Sequence, residues 1–234
     1  MKPHSILQYG LDMLFPPSCA VCKRTGYVLC PACQSSIVCF LPPFCAHCGC
    51  PQAAPGLCTR CRHWPLRLSG LRAVGPYSEP LRTCIHCLKY TGVTRLAEPL
   101  GLLLAQAARF YDLSADIIIP VPLHEERERE RGYNHATLLA QVCGRQLGIP
   151  VIPDLLVRTR ATVAQAHLSM GLRRQNVVGA FACHPAYATM SFYQRTIIII
   201  DDVCTTGATL EACAQTLFTT GAGAVWGLVL ARPQ

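Results

Sequence analysis

Lysine is scarce in this chain. Of 21 basic residues only Lys2, Lys23 and Lys89 are lysine, and the rest are arginine. Long hydrophobic runs are missing as well. No apolar stretch reaches the ~18 residues that a bilayer-spanning helix requires, so no membrane span is expected. A secretory leader is not legible either: in the opening MKPHSILQYGLDMLFPP, Gln8, Tyr9 and Asp12 break any apolar core that export would need. The stretch 5–15 has instead the pattern of a short amphipathic helix packed inward, and residues 1–18 are expected as an N-terminal helical segment. These absences place the protein in the cytoplasm, where disulfides are rare. Acidic residues are thin at the front. Residues 1–69 hold Asp12 alone against six basic side chains, and residues 70–234 hold twelve acidic against fifteen basic, for a formal net charge of +8.

Half of the 234 residues (51%) are hydrophobic, enough for one mid-sized domain with its own core and a small second one, and disorder is not expected. The arginine bias suits bidentate contact with phosphate and stacking on bases. GC-rich codon usage gives the same bias, so both readings stand.

There are 16 cysteines, ten of them between Cys19 and Cys61. Eight form four C-x-x-C pairs: CAVC (Cys19, Cys22), CPAC (Cys30, Cys33), CAHC (Cys45, Cys48) and CTRC (Cys58, Cys61). Such a turn aims two thiolates at one tetrahedral ion, and two turns close a Cys₄ zinc site. The order predicts two ribbons in series over residues 19–66, the first from the first two pairs and the second from the last two; spacing leaves a crossed pairing open. Zinc here is structural, because so short and proline-rich a segment needs a metal to fold. His47 and His63 are spare ligands beside a complete set of cysteines. Cys39 and Cys50 are left over, and CIHC (Cys84, Cys87) reads as buried cysteine in a helix apart from the ribbons. Eight thiolates holding two Zn²⁺ remove four charges, which brings the formal +8 to about +4, only mildly basic.

From about Leu71 strand and helix patterns alternate. LRAVGPY, ADIIIPVP, DLLVRTR, RTIIIIDD and AVWGLVLAR read as strands. SEPLRTCIHCLKYTG, the stretch from Thr94 to Asp112, NHATLLAQVCGRQLG and TLEACAQTLFTTG read as helices, with Pro99 a candidate kink, Asn134 an N-cap and Gly148 a C-terminal stop. Apolar strands alternating with helices predict an α/β domain over residues 71–234, a parallel sheet with helices on both faces, preceded by the small Cys₄ ribbon domain. Ligands in such sheets sit outside the carboxyl ends of strands.

One such end is TIIIIDDVCTTGATL, from Thr196 to Leu210. Backbone N–H groups from Val203 to Gly207, the start of the helix near Thr209, and the hydroxyls of Thr205, Thr206 and Thr209 are suited to a phosphate monoester. Gly207 has no side chain to block its approach. Asp201 and Asp202 are suited to a vicinal diol or to Mg²⁺.

This stretch resembles the phosphoribosyl pyrophosphate signature of the type I phosphoribosyltransferases. The resemblance implies that Asp201 and Asp202 hold ribose hydroxyls while Thr205, Thr206, Gly207, Ala208 and Thr209 hold the 5′-phosphate, with Mg²⁺ alongside. Further motifs are Arg-Gly-Tyr-Asn at Arg131 to Asn134 (with Tyr133), Gln165 with Leu168, Arg173 with Asn176 and Phe181, and Lys89 in LKYTG. With the cysteine-rich front end the set is similar to the ComF family, which includes bacterial competence proteins and the related GntX proteins; His135 stands where that family has Gln. The resemblance implies that Lys89 lies in the pyrophosphate-binding loop, and that EERERER with Arg131 matches a mobile loop over the substrate. A bland reading of that charge run is a solvated helix face or loop. The resemblance further implies a role in natural competence and DNA uptake, handling single-stranded DNA at the cytoplasmic side of the inner membrane with partners from the competence machinery. Trp64, Tyr90 and Tyr133 are candidate stacking residues for such a strand. The alternative is an active phosphoribosyltransferase, in nucleotide salvage or modification, with no direct DNA role.

Overall fold

The computed structural model describes residues 16–160, 177 and 179–233. The expected N-terminal helix over the stretch 5–15 and the motif residues Gln165, Arg173 and Asn176 lie outside them.

Two ribbons come first. The first carries helix α1 (Pro31–Ser35) and the second helix α2 (Thr59–His63). A four-stranded sheet follows, made of β1 (Gly70–Pro76), β2 (Ile117–Pro120), β5 (Thr196–Val203) and β6 (Ala224–Arg232). Its order is β1–β6–β5–β2, and every pair is parallel. Beyond β2, a short stretch at Pro150–Ile152 bonds to Ile118 and extends the sheet's edge.

The strands read as unbroken apolar runs because both faces are covered. Alternate residues of one strand enter different cores. Ile198 and Ile200 of β5, with Leu228 and Leu230 of β6, pack with α3 (Leu81–Tyr90), α4 (Ala97–Phe110) and α6 (His135–Leu147). Ile197 and Ile199, with Val225 and Val229, pack with α7 (Ala208–Thr219). The expected architecture stands: a parallel sheet with helices on both faces, behind a cysteine-rich ribbon region.

Pro99 does not kink α4. It falls in the helix's first turn, where the N–H it lacks has no intrahelical partner to lose, and α4 runs unbroken. Helix α6 is bounded as read, capped by the Asn134 side chain and stopped at Gly148 in the left-handed region (φ 72°). DLLVRTR forms β3 (Leu156–Arg158), which leaves the main sheet and pairs antiparallel with β4 (Phe181–Cys183). Three residues offer too little alternation for the sequence to announce β4. EERERER is α5 (Glu125–Arg131), exposed along nearly all its length and stopped by Gly132 at φ 80°.

The ribbons close the free edge of β1. Phe40 N donates to Val74 O, and Leu71 N to His47 O, both at 2.8 Å. An exposed strand edge is a template for aggregation, and the ribbons cover this one. The fit is close enough that a Cβ on Gly75 would run into the Val38 carbonyl oxygen. Among the described residues no helix is long and apolar enough to cross a membrane.

Candidate functional site

The cysteine turns close in sequence order. Cys19, Cys22, Cys30 and Cys33 form one tetrad, and Cys45, Cys48, Cys58 and Cys61 the other, with all sulfurs of a tetrad within 4.8 Å of one another. Tetrahedral zinc with Zn–S bonds of about 2.3 Å sets sulfurs about 3.8 Å apart. The Cys22–Cys30 sulfurs are 3.6 Å apart and the Cys48–Cys58 sulfurs 3.7 Å. Each ribbon makes the same backbone contact: Cys30 N donates to Cys19 Sγ at 3.4 Å, and Cys58 N to Cys45 Sγ at 3.3 Å. Burial alone would raise the Cys19 and Cys45 thiols. The N–H donors around them outweigh it and bring both down to about 6, so one sulfur of each tetrad is readied as a thiolate. The donor set fits structural zinc, and the crossed pairing is excluded.

The remaining cysteines differ from one another. Cys84 of α3 is buried and shares a core with Cys19 and Cys30, so CIHC, remote in sequence, packs against the first ribbon. Burial chiefly, with Cys87 and Cys19 nearby, pushes the Cys84 thiol up to about 12. Among the described residues Cys84 and Cys87 join no metal-binding group.

Alternation along β5 also separates the two acids. Asp202 continues the face of Ile198 and Ile200, where α3 lies, and its Oδ2 meets Lys89 Nζ at 2.6 Å. Lys89 sits in the last turn of α3, where the helix dipole favours a cation. Asp202 is 2% exposed, whereas Lys89 keeps 22% of its side-chain surface and Asp201 17%. Burial opposes ionisation of Asp202, but Lys89 and then His135 hold its carboxyl well below the usual range. Burial and the charge of Asp202 push Asp201 the other way, up to about 6. The two titrate as a pair.

The Arg-Gly-Tyr-Asn stretch joins this site to three elements. Arg131, at the end of α5, donates to His135 Nδ1 at 2.8 Å and lies over the Tyr90 ring at 5.4 Å. Gly132 turns the chain, and Tyr133 OH donates to Leu88 O of α3. Asn134 Oδ1 accepts from Ala136 N at 2.9 Å, and its Nδ2 donates to Val121 O, just past β2, at 3.0 Å. An arginine only donates, so His135 Nδ1 is an acceptor and the neutral ring carries its proton on Nε2. That nitrogen faces Asp202 Oδ1 at 3.6 Å and Asp201 Oδ1 at 3.8 Å. His135, Asp201 and Asp202 thus form a third cluster of ligand-type atoms, also within 4.8 Å. With Nε2 protonated, the carboxylates are the cluster's metal donors.

After Val203 the chain turns through Cys204, Thr205 and Thr206 to Gly207, whose φ of 85° is a left-handed conformation that suits glycine, and α7 begins at Ala208. Thr205 is exposed. Thr206 is buried, and its Oγ1 accepts from Ala208 N at 3.3 Å. Burial pushes the Cys204 thiol up to about 12, so it is not a ready nucleophile.

The structure therefore brings Lys89, Arg131, Asp201 and Asp202 together around His135, and sets Thr205 to Thr209 between the acids and α7. Tyr133 and Asn134 support from the side. In the sequence His135 was only a departure from a family pattern, and the Gly132 turn between Arg131 and His135 left no helical spacing to pair them.

A family described as "Double zinc ribbon domain" matches residues 10–62. "Competence protein F" of Haemophilus influenzae is 36% identical over 225 residues, covering 91% of this chain and 96% of its own. "DNA utilization protein YhgH" of Escherichia coli K12 is 35% identical, covering 92% of this chain and 89% of its own. "Competence protein ComFC" of Bacillus subtilis is 26% identical, covering 84% and 80%. Among solved structures, the glutamine phosphoribosylpyrophosphate amidotransferase of B. subtilis aligns with a TM-score of 0.40 at 21% identity, over 58% of this chain and 26% of its own. A purine phosphoribosyltransferase from Pyrococcus horikoshii aligns with a TM-score of 0.36 at 19% identity, over 62% and 75%. The double ribbon and the sheet with its acid pair run together along one polypeptide, and over nearly all its length this chain belongs to the ComF family.

Proposed function

We propose that this chain binds phosphoribosyl pyrophosphate, or a related sugar phosphate, at the exit of β5, and that it works in natural competence by handling incoming single-stranded DNA at the cytoplasmic side of the inner membrane, alongside other competence proteins. One observation carries the reading: a carboxylate pair, one member ion-paired to Lys89, runs directly into a loop that turns through Gly207 to the start of α7. A ribose offers its hydroxyls to Asp201 and Asp202. Of the N–H groups expected from Val203 to Gly207, Val203 N donates to Asp202 Oδ1 and Cys204 N to Ala231 O, so the 5′-phosphate suits those further along the loop and the hydroxyls of Thr205, Thr206 and Thr209. Mg²⁺ fits as a cation carried largely by substrate oxygens and water. Asp202 is already engaged by Lys89, which leaves the partly exposed Asp201 as the carboxylate nearest to meet it. Support for the DNA role comes from the named relatives and from exposed rings beside cations. Trp64 is 67% exposed next to the arginines of α2, and Tyr90 is 66% exposed under Arg131.

An active phosphoribosyltransferase with no DNA role is the second reading. Two cations, Lys89 on Asp202 and Arg131 on the far nitrogen of His135, favour it, since a departing pyrophosphate is stabilised by fixed positive charge.

Calorimetry with phosphoribosyl pyrophosphate and Mg²⁺ tests the pocket. Wild type is expected to bind, and the Asp201→Ala/Asp202→Ala double variant to lose binding while keeping both zinc ions. Equal binding by the two proteins, or none by wild type, removes the sugar-phosphate reading. A transformation assay with the same variant then separates the roles. Normal DNA uptake by a folded but binding-deficient protein would favour the enzyme alone.

A further inference from the structure

The second ribbon reaches the loop after β5 in three places. Arg60 of α2 donates from its NH2 group to the Thr206 carbonyl at 2.7 Å. Leu66 packs against Gly207, where an added Cβ would come within 2.9 Å of Leu66 Cδ2. Arg67 N donates to Glu211 Oε1, in the first turn of α7, at 3.0 Å. His47, inside the CAHC turn, holds the Leu66 carbonyl at 2.9 Å. The ribbon is itself fixed to the sheet. Arg72 of β1 donates to Ala46 O and His47 O, and Arg232 of β6 donates to Cys48 O, so successive carbonyls of one cysteine turn are held by two strands.

We propose that Arg60 is a positioning residue of the phosphate loop, and that the second zinc ribbon is a built-in wall of the sugar-phosphate site. The inference rests on the sugar-phosphate reading above. Its physical basis is the geometry of one peptide. In a planar trans peptide the C=O and the next N–H point to opposite sides. With Thr206 O held toward the ribbon, the N–H of Gly207 is turned away from it and offered to a ligand. The N–H groups at this loop and at the start of α7 bind phosphate only if they converge. Arg60 lies between Cys58 and Cys61, both members of the second tetrad. A metal that fixes the backbone on either side of it delivers the guanidinium to one place, as outer residues orient a site's inner ones.

The test uses the full-length protein as wild type, Arg60→Ala and Arg60→Lys. It reads affinity for ribose 5-phosphate across a salt series, zinc content, Tm, and amide exchange over residues 203–210. Arg60→Ala is expected to weaken ribose 5-phosphate about tenfold, the scale of losing a hydrogen bond from a charged donor. Both zinc ions and Tm should stay close to wild type, the loop amides should exchange faster, and Arg60→Lys should recover part of the affinity. The salt dependence should be unchanged, because Arg60 holds the loop and not the phosphate; a smaller salt slope would make Arg60 a direct ligand and overturn the positioning role. Unchanged affinity and exchange in a folded Arg60→Ala would overturn it too. If wild type binds no sugar phosphate, both the proposed function and this inference fall; if wild type and Arg60→Ala bind alike, only the inference does.

Discussion

The two zinc ribbons carry the same ligand pattern, yet they stand on opposite sides of one sheet and have different neighbours. The first buries Cys19, Ala20, Leu29, Cys30 and Ile37 in the core that contains Cys84, Ile85 and Leu88 of α3, the helix that presents Lys89 to Asp202. Its contact with the sheet domain is apolar. The second buries Cys45, Cys48, Cys61, Leu66 and Leu68 with α7 and adds hydrogen bonds through Arg60, Arg72 and Arg232. The first therefore backs the half of the site that holds acids and cation, and the second backs the half made of loop N–H groups. Identical metal chemistry serves two jobs because apolar packing sets where a helix lies, whereas hydrogen bonds set how a peptide plane is turned.

The comparison is broken most directly by removing one zinc at a time. Cys58→Ser/Cys61→Ser should lose one zinc and weaken ribose 5-phosphate by a factor between about 5 and 150, the usual range for coupled sites. Cys30→Ser/Cys33→Ser should also lose one zinc and lower Tm, yet leave phosphate affinity within about threefold of wild type, a coupling below that range. Calorimetry with metal analysis checks both, and equal losses of affinity would mean that the ribbons are interchangeable supports.

On the first ribbon's side the effect is on stability, not on phosphate affinity. Lys89→Met takes the ammonium from the buried Asp202 carboxylate, which costs on the order of 3–5 kcal/mol. Denaturant unfolding reads this, with both zinc ions retained.

The smallest effect is the pH response of the acid pair. Asp201 has a folded pKa of about 6 against an ordinary value of 3.8, so its contribution favours folding at low pH and is lost as pH rises through about 6. Asp202 has the opposite sign: its contribution is present above about pH 4 and is lost below it, as its lowered carboxyl titrates. Asp201's part of the slope, read between about pH 4 and 7, is worth about 1–3 kcal/mol. Asp201 by itself should lower stability at pH 7 relative to pH 5 by that margin, against the opposite trend of Cys19 and Cys45, whose lowered thiols stabilise as pH rises. Asp201→Asn should remove the difference and raise Tm at pH 7. A stability curve unchanged by the substitution would show that Asp201 ionises freely.

Much of this site could be read from the chain because its signals are local. Four C-x-x-C turns announce two tetrads, since the chelating geometry lies within four residues. The Ile197–Ile200 run announces a strand buried on both faces, and Asn134 and Gly148 announce the ends of α6 by their own capping chemistry. What was not legible depends on pairs far apart in sequence. Nothing near Lys89 says that its ammonium meets Asp202. Nothing near His135 says that both acids lie in front of it. Cys84 reads as remote from the ribbons and packs against one of them. The span of β3 and β4 is too short for periodicity to speak.

Period, capping and chelation act over a few residues, so the order of amino acids already sets which segments are strands, helices and metal turns, and where two carboxylates leave a buried strand. Which ribbon stands behind which half of the site is set by contacts between distant parts of the chain. Arg60 and Thr206 are 146 residues apart, and they meet only because the strands bearing Arg72 and Arg232 hold the second ribbon against the sheet.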